Sequence, residues 1–280
     1  MRPSNAPRLL IQIVCLIAVG IAAGVQAAPP AKLWERWLAH DPSATRDIDH
    51  GAWEAFLMRY VRIGPDNIHR VAYGAVTPAD REALDAYLAR LSSTPITEYN
   101  RAEQLAYWIN LYNALAVDAV IEHYPVASIL EIGARSGRLA ERPFDAPLIE
   151  VDGRKLSLND IQNRILRPIW RDPRILYALS CAALACPNLQ PAPFTGDQLD
   201  RQLSEAAMAY VNDARCIQME DDELVLSSLF RWYREDFGGS DRAVIYHLMG
   251  FAAPRLAMKL QRFDRIAGDV FDWRLNDATS

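Results

Sequence analysis

Residues 103–125 read EQLAYWINLYNALAVDAVIEHYP. Leu105, Trp108, Ile109, Tyr112, Leu115, Ala116, Ala119 and Val120 recur at helical spacing along one wide apolar face, and Pro125 ends the run. This is the expected central core helix. Just upstream, Asn100-Arg101-Ala102-Glu103 has the spacing of a capping box, with Asn in place of the usual Ser or Thr. Asn110 and Asn113, three apart, share a face of a segment too apolar to leave both in water. A buried amide costs free energy unless its donors and acceptors are paired. Two uses follow for this pair: tethering the backbone of a neighbouring loop, or lining a binding site.

On the N-terminal side, Leu33, Trp34, Trp37 and Leu38, then Trp53, Phe56, Leu57 and Tyr60, predict two short helices. His69 to Val76 reads as a short strand. Thr77-Pro78-Ala79-Asp80 opens a further helix carrying Leu84, Tyr87, Leu88 and Leu91. On the C-terminal side, residues 131–147 lack periodicity and read as a long loop able to cover a cleft. Asp152-Gly153 predicts a type I′ hairpin, followed by a helix over Asn159–Arg167 that Pro168 closes. Ile175 to Leu179 reads as a buried strand, Thr195 to Asn212 as an amphipathic helix, and Arg215 to Leu226 as a second hairpin. Ser228 is the expected cap of LFRWYREDFG, with Gly238 as its stop. Helices around Val244–Phe251 and Pro254–Arg262 complete the pattern. The expected class is α+β: a mainly helical single domain with a small, mostly antiparallel sheet in the second half.

The 280 residues carry 30 Lys and Arg against 35 Asp and Glu, a net charge of -5. There is no basic surplus to displace counterions from a phosphate backbone, so nucleic acid is not an expected partner. Met1 to Arg8 holds two positive charges, Leu9 to Val25 is apolar except for Gln12, and Val25-Gln26-Ala27 offers a small-residue cleavage site. That is the pattern of a signal peptide over residues 1–27, and it implies a periplasmic or secreted protein with no membrane span in the mature chain. An uncleaved anchor is the alternative. Residues 28–97 form an N-terminal helical region expected to pack on the core, and 277–280 a tail.

Among the chain's motifs there is no phosphate-binding Gly-rich loop, Gly-x-Ser-x-Gly, His-Glu-x-x-His, EF-hand loop or Cys-x-x-Cys. The five His are scattered, so neither a metal site nor a cofactor is expected. What remains is the segment ending in Cys181 and Cys186-Pro187. Cys181 at the end of a buried strand is a candidate catalytic nucleophile, provided a base or cation activates it. In an oxidising compartment the same spacing allows a Cys181–Cys186 disulfide closing a small loop, with the third mature cysteine left over. A redox-active bridge is a weaker third option.

EQLAYWINLYNALAVDAVIEHYPVASI, LSLNDIQNRILRP, DPRILYALSCAALACPNL, LSSLFRWYREDFG and FDWRLN, in that order over about residues 98–276, resemble the bacterial and plant family known as domain of unknown function 547. The resemblance implies a shared fold over 98–276 and no established activity. Cys181, Cys186, Pro187, Asn110, Asn113, Asp272, Trp273 and Asn276 match the family pattern. Two positions depart from it: Gln162-Asn163 stands where the family usually has Glu-His, and Leu176 where it has His. Both departures remove protonatable groups. His123 is the nearest substitute base in sequence terms; otherwise it is a cation at a helix C-terminus. Two functions are carried forward. One is an exported cysteine-dependent hydrolase or acyl transferase using Cys181, with Asn110, Asn113, Asp272 and Asn276 around it. The other is a non-catalytic periplasmic binding or assembly module with a structural disulfide. Each takes a small-molecule or peptide ligand.

Overall fold

The computed structural model describes residues 29–132, 144–220 and 222–278; the expected signal peptide over residues 1–27 and the middle of the 131–147 loop lie outside the described residues. After a 3-10 turn at Glu35–Leu38 come helix α1 (Gly51–Tyr60), a hairpin of β1 (Val61–Ile63) and β2 (His69–Val71), and helix α2 (Pro78–Ser93). The Thr77 hydroxyl accepts from the Asp80 N–H at the start of α2, and Pro78 sits where a missing N–H costs nothing. Helix α3 (Arg101–His123) is buried almost all round from Glu103 to Val120. The expected apolar face is therefore most of the helix surface, because neighbours pack on it from several sides.

Asn100 caps α3, accepting from the Ala102 and Glu103 N–H groups. The reciprocal half of the capping box is not made. Glu103 turns away instead, accepting from the Ile48 N–H at 3.2 Å and the Gly196 N–H at 3.0 Å. Burial raises its pKa, and a Cβ at Gly196 would stand 2.2 Å from its Oε1.

Strands β3 (Ile149–Val151) and β4 (Arg154–Leu156) form the expected hairpin, with Asp152 and Gly153 at φ 47° and 69° as a type I′ turn requires. The next helix does not stop at Pro168. It runs as a π-helix over Asp160–Leu166 and continues into α4 (Arg167–Trp170). Proline lacks the N–H that a carbonyl one turn back would receive and crowds that carbonyl, and the widened turn accommodates both defects. The carbonyls four and five residues before it are then free for other donors. Trp34 N–H reaches the Arg164 oxygen at 3.0 Å and Lys32 N–H the Asn163 oxygen at 2.9 Å, so the N-terminal arm is docked on the π-helix.

Ile175–Ala178 is a single helical turn, α5, and not the expected strand. Its Ile175 and Ala178 belong to the hydrophobic cluster around α3, whereas Leu176 and Tyr177 belong to a second cluster. One helical turn aims its first and fourth side chains one way and the middle pair the other, which a four-residue apolar run cannot disclose by periodicity. The second cluster is built from α6 (Leu199–Val211), the antiparallel pair β5 (Ile217–Glu220) and β6 (Glu223–Ser227), α7 (Ser228–Trp232) and α8 (Asp241–Phe251). Ser227, one residue earlier than expected, caps α7, and the left-handed Gly238 ends the 3-10 turn that follows it. Helix α9 (Pro254–Leu260) leads to β7 (Gly268–Val270), which pairs parallel with β6. The class is α+β and mainly helical, with small sheets that are antiparallel apart from this last pair.

Candidate functional site

The segment 178–194 leaves from α5, and its Leu179, Ala182, Leu189 and Phe194 pack into the cluster around α3. Cys181 and Cys186 are joined by a disulfide with Cα atoms 5.7 Å apart. Cys216 is free and buried, and burial pushes its thiol pKa well up.

Both asparagines of α3 hold this segment by its backbone. Asn113 donates to the Ala178 carbonyl at 2.9 Å and accepts from the Ser180 N–H at 2.8 Å. Asn110 donates to the Phe194 carbonyl at 2.7 Å and accepts from its N–H at 3.0 Å. Each amide thus satisfies one donor and one acceptor, and together they pin both ends of the loop.

The C-terminal strip pins the middle. Leu184 N–H donates to the Arg274 carbonyl, Ala185 N–H to the Asp272 carbonyl, and Asn276 N–H to the Ala182 carbonyl. The side chains of this strip go elsewhere. Asp272 pairs with Arg274, which lowers its pKa, and buried Asn276 accepts from the Tyr73 hydroxyl at 2.8 Å. Neither is hydrogen-bonded to Asn110 or Asn113.

Four further residues fix the loop without having drawn notice in the sequence. Arg215, itself held by Asp213, donates to the Leu184 carbonyl at 2.8 Å, the Cys186 carbonyl at 3.2 Å and Asn188 Oδ1 at 3.0 Å. The Tyr210 hydroxyl donates to the Ala185 carbonyl, Asn188 accepts from the His69 N–H, and His69 Nδ1 meets the Leu189 carbonyl at 2.7 Å. The Asp213-x-Arg215 spacing marks a pinned guanidinium, but it recurs at Asp172-x-Arg174 and Asp272-x-Arg274 and does not say what the guanidinium donates to. His123 Nδ1 bonds the Ala119 carbonyl of its own helix at 2.9 Å.

On the other side of α5, Leu176 lines a cavity of about 410 Å³ together with Ala31 and Leu33 of the N-terminal arm, Arg167, Pro168, Arg171, Asp172, Pro173, Glu235 and Asp236. Arg167 is buried beneath Tyr233, 4.7 Å from its ring centroid. Its Nε donates to Asp236 at 2.5 Å, and its Nη1 to the Pro29 carbonyl at 3.0 Å and Asn163 Oδ1 at 2.8 Å. Arg171 ends α4 in the left-handed region at φ 52°, where glycine is the usual occupant.

The positions that depart from the family pattern lie around this cavity. Leu176 is in its wall. Asn163 is linked to it through Arg167 and also bonds Asn159, and Gln162 lies close enough to the Tyr233 hydroxyl to lower its pKa against the larger upward push of burial. Neither Gln162 nor Asn163 is hydrogen-bonded to a cysteine. Among the described residues, no group of three or more His, Cys, Asp and Glu side chains is placed to hold a metal ion.

No curated protein and no solved structure matches the chain. Residues 96–211, from the turn before α3 to the end of α6, match the family described as "Protein of unknown function, DUF547", which supports assigning that stretch to the family.

Proposed function

We propose that the protein is an exported, non-catalytic binding module in which the Cys181–Cys186 loop is a structural staple. The observation that carries the reading is the Cys181 sulfur bonded to Cys186 in a loop whose backbone is held from α3, the C-terminal strip and Arg215. A nucleophile must be a free thiolate beside a base or cation. The Cys181 sulfur is bonded and so is no free thiolate, and the loop-contacting groups are committed to backbone: His69 spends Nδ1 on the Leu189 carbonyl while burial lowers its pKa, and Arg215 donates to the Leu184 and Cys186 carbonyls. A disulfide is compatible with an oxidising compartment, in keeping with the leader-like N-terminus. No helix among the described residues is long and apolar enough to cross a membrane.

The test is a Cys181→Ala, Cys186→Ala variant. Closing a loop this short contributes about 2 kcal/mol, so urea denaturation should show a loss of that size with the native circular dichroism retained. Turnover of a p-nitrophenyl acyl ester by the reduced, folded wild type that disappears in Cys181→Ser would overturn the reading in favour of a cysteine hydrolase.

A further inference from the structure

The cavity beside α5 has a charge inventory that selects a ligand. Asp236 is neutralised by Arg167, and Asp172 by Arg174, which meets both its oxygens at 2.7 to 3.1 Å. That leaves Arg171 and Glu235, both exposed and both without an ion-pair partner among the described residues, as one positive and one negative charge on the same cavity. Arg167 adds a directional group. It is only 7% exposed, yet its Nη2 has no hydrogen-bond partner among the described residues, whereas Nε and Nη1 are fully used. A guanidinium locked by three hydrogen bonds with one nitrogen to spare is a pre-organised donor for a carboxylate. The remaining wall, Leu33, Pro168, Pro173 and Leu176, is apolar.

We propose that this cavity binds a zwitterion of amino-acid or dipeptide size, its carboxylate on Arg167 Nη2 and Arg171, its ammonium on Glu235, and its side chain against Leu176 and the two prolines. At about 410 Å³ the cavity is near the small end of ligand pockets, and two residues of extended chain span about 7 Å. The N-terminal arm belongs to the site because Ala31 and Leu33 form part of its wall, and the carbonyls around Pro168 hold that arm in place. This inference rests on the binding-module reading and names its ligand class.

Calorimetric titration of the full protein with alanyl-leucine, N-acetyl-alanyl-leucine and alanyl-leucine amide tests it. The free dipeptide should bind saturably, and blocking either end should weaken binding by about tenfold, the scale of one charge-assisted contact. Arg171→Asn, which suits a left-handed backbone, should abolish the penalty for amidation, and Glu235→Gln the penalty for acetylation. Both side chains are exposed, so folding should be preserved. Absence of saturable binding, or equal binding of all three peptides, would overturn the proposal. Release of free leucine that stops in Cys181→Ser would instead refute the non-catalytic reading beneath it.

Discussion

Asn113 bonds the backbone of α5 and of the cysteine loop from within a helix buried on nearly all sides. Replacing it with Ala leaves a buried carbonyl and a buried N–H unpaired, and each orphan costs about 1 to 3 kcal/mol. Asn113→Ala should therefore lose about 3 kcal/mol in urea denaturation, more than any exposed substitution on α3. His50 sets a pH dependence. Its Nδ1 meets the Tyr87 hydroxyl at 2.7 Å, its Nε2 has no hydrogen-bond partner among the described residues, and burial lowers its pKa to about 4. A histidine held neutral in the fold contributes stability above its unfolded value near 6.5 and loses it as pH falls toward 4. Between pH 7 and 4.5 the wild type should lose about 2 to 3 kcal/mol more than His50→Gln, measured by denaturation at each pH. The buried amides were readable from their types and setting, but their partners were not. Nothing local distinguishes Arg215 as the guanidinium beneath the loop, because its acceptors are carbonyls about thirty positions away. Glu103 shows the converse: a correct spacing for a local cap gave way to two distant N–H donors in the core.

Pro168 shapes the elements around the cavity. The sequence marks it as a stop, since proline ends most helices. The chain passes through it because a π-helix absorbs the defect and an arm more than a hundred residues upstream supplies donors to the neighbouring carbonyls. Lys32→Pro, which removes one of those donors at an exposed position, should leave the Asn163 carbonyl short of its partner. The expected outcome is a loss of about 1 kcal/mol and faster hydrogen exchange in residues 33–36, with α2 and α3 unchanged. If exchange in the arm does not change, the arm is held by something other than these bonds. The elements read correctly from sequence carry local signals, such as the Thr77-Pro78 start and the Asp152-Gly153 turn. The one misread in kind, α5, has four apolar residues whose two directions are fixed by which cluster each one joins.

The two hydrophobic clusters share α5, and the cysteine loop leaves from its end. The sequence exposed the α+β class through its long helix and paired turns, but not the division of the core, which depends on contacts between segments far apart along the chain. The same division places the loop and the cavity on the two sides of one helical turn, with Leu176 facing the cavity and Ala178 held by Asn113. Residue-by-residue mass spectrometry after differential alkylation, on protein produced under oxidising conditions, separates a structural staple from a reactive thiol. The expected result is that Cys181 and Cys186 label only after reduction and buried Cys216 only after unfolding. Labelling of Cys181 in the native, unreduced protein would contradict the staple and return the cysteine to the role of nucleophile.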